Sequence, residues 1–164
     1  MNYDEYAPLI QSGDLISVPV AHSIMGKLTQ FFTRSEYTHS GVAFWMGNEL
    51  FMAELNGGRN HLIPIIQLQD FDVYECPQNL RDVNGAIRKW LSYPVQYGYS
   101  AFIAIGLLNW FRIKAFVHWR NILVCSGYVV AIWETAGWPE HTRILSPGEL
   151  AQCTPLKFKI RRPK

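Results

Sequence analysis

"YTHSGVAFWMGNELFMAELNGG", residues 37–58, sets one histidine ahead of an alternating apolar run, a Gly-Asn turn and a second apolar run that reaches a single glutamate. A two-residue loop at Gly47 and Asn48 pairs Met46 with Glu49, Trp45 with Leu50, Ala43 with Met52 and Gly41 with Glu54. Successive strand residues point to opposite faces, so His39, Gly41, Ala43 and Trp45 share a face with Leu50, Met52, Glu54 and Asn56. Glu54 then lies diagonal to His39, with only the hydrogen of Gly41 opposite it. Diagonal neighbours in a ladder are about 7–8 Å apart, a gap that a glutamate side chain spans. A carboxylate there accepts one ring N–H, fixes the tautomer and stabilises the imidazolium formed when the other nitrogen takes a proton. Asn56, directly opposite His39, could orient the ring as an amide. A three-residue loop would move both partners to the wrong face. The plain alternative is a half-exposed histidine satisfied by water.

Working outward, "SGDLISVPV" (12–20) reads as a turn and a short strand. Residues 23–33 read as a helix capped by Ser23, with Ile24, Leu28, Phe31 and Phe32 in one stripe. "HLIPII" (61–66) and "FDVYEC" (71–76) are two further strands, and Pro64 sends the first to a sheet edge. "NLRDVNGAIRKWL" is a helix capped by Asn79, with Leu80, Val83, Ile87 and Trp90 on a shared face. Residues 92–99 read as loop and 100–113 as a buried apolar helix. Another helix is expected from about Cys125 to Thr135, apolar on nearly every side and stopped by Gly137. "SPGELAQCTPLKFKI" closes the chain with a turn, a short helical turn and a last strand. Strands followed by helices, with a closing strand, predict an α+β domain built on a largely antiparallel sheet.

The 164 residues suit a single domain spanning 1–164, with no linker or repeat to divide it. Apolar residues make up 49% and charged residues 17%, a balance that excludes disorder. A net charge of +2 is too small to argue for nucleic acid. The basic tail, "KFKIRRPK" at 157–164, reads as a solvated end or as a contact for phosphate or an anionic surface. "MNYDEYAPLIQSGD" has neither a basic head nor an apolar stretch, so cytoplasmic synthesis without a cleaved signal is expected. The run "AFIAIGLLNWF" (101–111) rises only about 16 Å as a helix, half a bilayer core, so it cannot span a membrane, although peripheral contact stays open.

Cys76, Cys125 and Cys153 are an odd, widely spaced set that suits a reduced chain. None of them pairs with another, or with His118 or His141, at a metal-binding spacing, and neither a metal nor a cofactor is expected. Cys125 alone falls at the first turn of a predicted helix. Unpaired N–H groups and the helix dipole favour a thiolate there, and the same groups can receive the oxyanion of a tetrahedral intermediate. Ser126 and Gly127 are small enough to leave room for a carbonyl. The alternative is a cysteine packed as a small hydrophobe.

"SGDLISV", "THSGVAF" and "CSGYV", in that order, resemble the circularly permuted branch of the NlpC-type papain-like hydrolases. The bacterial YiiX-like and the lecithin–retinol acyltransferase-like proteins belong to that branch, in which the histidine strand precedes the cysteine helix, as here. The resemblance covers roughly residues 9–135 and implies a permuted papain-like fold, its sheet packed on a central helix that carries the cysteine. It places the nucleophile on Cys125, the base on His39 and the orienting residue on Glu54, and its Gly-Asp pair falls on Gly13 and Asp14. Asp14 thereby joins Ser126, Gly127, Asn56 and Trp110 as a candidate for the substrate or oxyanion side.

The implied activity is thiol hydrolysis of an amide or peptide bond, including cell-wall peptides, for which export by another route or phage delivery would be required. The alternatives are hydrolysis or transfer of a lipid acyl ester or thioester, and a non-catalytic binding domain. Phe102, Ile105, Leu108, Trp110 and Phe111 would line a chain-length pocket, meet a membrane or cap the sheet. The helix at 23–33 and the long aromatic stretch 92–120 depart from the family pattern, which leaves the substrate less defined than the Cys-His pair.

Overall fold

The structure, a computed structural model, describes residues 1–19, 36–94, 124–139 and 145–161. The elements are α1 (Tyr3–Tyr6), β1 (Leu15–Pro19), β2 (Tyr37–Met46), β3 (Glu49–Asn56), β4 (Arg59–Pro64), β5 (Phe71–Tyr74), α2 (Val83–Ser92), α3 (Cys125–Thr135), α4 (Pro147–Gln152) and β6 (Leu156–Ile160). The strands form one antiparallel sheet in the order β4-β3-β2-β1-β5-β6. This is the expected α+β architecture. The predicted helix at 23–33 and the apolar segment 100–113 lie outside the described residues.

The β2–β3 hairpin has the expected register, from Met46 opposite Glu49 to Val42 opposite Ala53. Gly47 occupies the left-handed region at φ 61°, which the tight turn requires. Pro64 ends β4, which is an edge strand as its missing N–H predicts. Both faces of the sheet are covered. Leu15, Val42, Phe44, Ala53 and Leu55 pack with α2, α3 and α4, while Ile16, Ala43, Leu50, Met52 and Val73 pack with Tyr6, Ala7 and Ile10. Double burial explains why β2 reads as nearly unbroken apolar sequence from Gly41 to Phe44.

α3 runs over Cys125–Thr135 as expected, and Gly137 at φ 103° follows it. Its apolar residues on all sides are explained by burial: Tyr128, Val129, Ile132 and Trp133 are each fully enclosed. The Trp133 indole N–H donates to the Gly13 carbonyl at 2.9 Å, tying the helix to the entry of β1.

Two expectations need correction. α2 starts at Val83 and is capped by Asp82, whose carboxylate accepts the Gly85 N–H at 3.0 Å, so Asn79 is not the cap. The described part of the basic tail is neither a solvated end nor an open anion site, because it forms β6 and its cations meet buried acids. Lys157 pairs with Asp14 at 2.9 Å, and Lys159 and Arg161 pair with Asp72. Asp72 also accepts the Tyr37 hydroxyl at 2.6 Å. Burial would raise its pKa, but these hydrogen bonds outweigh it and hold the carboxyl below the usual range.

Candidate active site

His39 stands on β2 beside Val18 of β1, where the β1–β2 register shifts between Val18 and Pro19. Its Nε2 lies 2.6 Å from Glu54 Oε2, so the diagonal pairing read from the hairpin is present. Glu54 is 2% exposed, and its other oxygen, Oε1, has no hydrogen-bond partner among the described residues. The Asn56 side chain and His61 also favour the ionised carboxylate.

Cys125 is the first residue of α3 and is buried. No side chain caps the helix at Val124, which leaves its first-turn N–H groups available. The His39 ring lies near enough to the Cys125 sulfur for each to shift the other's pKa. With Nε2 facing Glu54, Nδ1 is the nitrogen left for it. The backbones of Ser40 and Ser126 also favour the thiolate.

The electrostatics of the three groups agree in direction. Burial works against a charged His39, but the charge and hydrogen bond of Cys125, with those of Glu54, push its pKa up to about 10. Burial likewise raises the Cys125 thiol, yet the imidazolium and the neighbouring backbones of Ser40 and Ser126 bring it below the ordinary thiol value. Glu54 is held below its usual value because His39 outweighs its burial. All three shifts favour the charged forms, a thiolate beside an imidazolium with a carboxylate behind it. Such a pair holds a nucleophile and an adjacent proton donor, the two groups that acyl transfer needs.

The remaining candidates separate. Ser126 donates its hydroxyl to the Leu145 carbonyl at 2.5 Å, so its side chain is occupied and only its backbone acts on the thiol. Gly127 lies in the same first turn and is partly exposed. Asp14 is displaced from the site. It precedes Val18 by four strand residues, about 13 Å along β1. There its buried carboxylate accepts the N–H groups of Gln11 and Cys76 and binds Lys157, a structural role that removes it from the substrate side. Trp110 lies outside the described residues. Sequence reasoning missed the Ser40 backbone, which favours the thiolate, because a main-chain group leaves no mark in residue type.

The sequence matches no family model and no curated protein. Among solved structures, the metalloprotein yiiX from Escherichia coli O157:H7 superposes with a TM-score of 0.57 at 19% identity, over 78% of this chain and 67% of that one. The chain is similar in fold to yiiX. At that identity the likeness concerns architecture alone. The yiiX structure is described as a metalloprotein, which raises the question of metal ligands among the described residues. They contain no group of three or more His, Cys, Asp or Glu residues suited to a metal ion, and His118 and His141 lie outside them. Among the described residues, no helix is long and apolar enough to cross a membrane.

Proposed function

We propose that this chain is a cysteine-dependent acyl hydrolase or acyltransferase of the permuted papain-like type, acting on an acyl ester or thioester. The observation that carries the reading is the single histidine between a carboxylate at 2.6 Å and a buried cysteine at a helix start. The likeness to the yiiX fold and the resemblance to the lecithin–retinol acyltransferase-like branch favour acyl-ester chemistry over peptide cleavage.

In the proposed reaction the Cys125 thiolate attacks the acyl carbonyl carbon, and the carbonyl π electrons move to oxygen. First-turn N–H groups of α3 receive that oxyanion. Collapse of the intermediate expels the alcohol or thiol, which takes its proton from the His39 imidazolium. A thioester is left on Sγ. Water, or another acceptor in a transferase, then gives a proton to His39 and attacks the thioester, which releases the acid or the transferred product and restores the thiolate. Glu54 keeps the ring oriented throughout.

The test presents p-nitrophenyl acyl esters of increasing chain length, phospholipid vesicles and D-amino-acid-containing peptides to the full chain. Ester turnover with an acyl mass adduct on Cys125, lost in C125A and H39A, is the expected result. Peptide turnover without ester turnover would restore the amide reading. Turnover of none of them, with no adduct, would leave a binding domain of the same fold.

A further inference from the structure

We propose that Gly41 is a positioning residue, whose missing side chain lets β3 come close enough to β2 for Glu54 to hold the His39 ring. The inference deepens the Cys125–His39 reading and rests on it. Gly41 is not among the residues with positive φ, so backbone freedom does not explain a glycine there. Space does. A Cβ at Gly41 would stand 2.6 Å from Met52 Cγ, 2.8 Å from the Ala53 carbonyl oxygen and 3.0 Å from Met52 Sδ. The methionine could rotate away, but the carbonyl belongs to the strand, and relieving that contact moves β3 itself. The residue after Ala53 is Glu54, and the residue two before Gly41 is His39. Ordinary pairing of β2 with β3 ends at Val42 opposite Ala53, so this close approach lies at the last rung before the site.

The tolerance for movement is small. The 2.6 Å bond to His39 uses one oxygen of a buried carboxylate whose other oxygen has no hydrogen-bond partner among the described residues. The titratable groups that face the ring are Cys125 from α3 and Glu54 from β3, with His61 of β4 beside the carboxylate. A displacement of β3 weakens the one bond that stabilises the imidazolium from the sheet side. The thiolate would then form only at higher pH.

The experiment measures iodoacetamide alkylation of Cys125 against pH by peptide mass mapping, in the wild type, G41A, E54Q, E54D and the G41A/E54Q double variant. G41A is expected to move the midpoint up by about one pH unit, a tenfold loss of thiolate near neutrality. E54D, which shortens the reach without any clash, is expected to move it the same way. The double variant should match E54Q, since Gly41 acts through Glu54. A wild-type profile in G41A, a further shift on top of E54Q or an unshifted E54D would overturn the proposal, and E54D decides it if G41A does not fold. The underlying reading fails separately, if wild-type Cys125 alkylates no faster near neutrality than the exposed Cys153.

Discussion

Ser126 shows how little residue type says about which atom acts. Its position after the cysteine suggests a hydroxyl donor, but the hydroxyl is spent on the Leu145 carbonyl and the backbone is what favours the thiolate. S126A is therefore expected to leave the pH profile of Cys125 alkylation unchanged. It should cost about 1–3 kcal/mol of stability, because it strands a buried carbonyl. Urea denaturation beside the alkylation profile checks both halves, and a profile shifted by a full unit would return the hydroxyl to the site. His39 and Glu54 were legible because a two-residue turn and period-two alternation leave one register. Asp14 was misread for the opposite reason. Its role depends on Lys157, a residue 143 positions away that no local pattern connects to it.

Among the elements, α3 was the easiest to read and α2 the most deceptive. An eleven-residue helix bounded by Cys125 and Gly137 follows from its long apolar run and its glycine stop. At α2 both Asn79 and Asp82 resemble caps, and both sit in the left-handed region, with φ of 68° and 44°. A tertiary bond decides between them: the Arg81 N–H donates to the Ala136 carbonyl at 2.7 Å, so that stretch is anchored to the end of α3 and helical hydrogen bonding starts beyond it. D82A is expected to lose about 1 kcal/mol, as cap removal ordinarily does, while N79A should cost only a few tenths. Thermal melts of the two variants distinguish the caps, and equal losses would contradict the assignment.

At the scale of the whole molecule, the site makes stability depend on pH with a defined sign. His39 is raised, so its contribution is complete below its ordinary value of 6.5 and is lost as pH climbs through about 10. Glu54 and Cys125 are lowered, so theirs are complete above the ordinary values of 4.5 and 9.0 and are lost as pH falls through the folded ones. Wild type and E54Q are thus expected to differ most in unfolding free energy near neutrality and to converge in acid, once Glu54 is protonated in both folded and unfolded chains. Urea titrations across pH check this, and a gap that stays constant into acid would show that the carboxylate's charge is not what stabilises the fold. The amino-acid order by itself determined the antiparallel hairpin, the buried cysteine helix and the diagonal His39–Glu54 pair, since each follows from periodicity and turn chemistry within a few tens of residues. Only the tertiary structure decided that Asp14 and Asp72 take their cations from β6 and the residue after it, that the Ser40 backbone acts on Cys125, and that β3 crowds Gly41. Those are contacts between distant segments, and they exist only once strands and helix have packed.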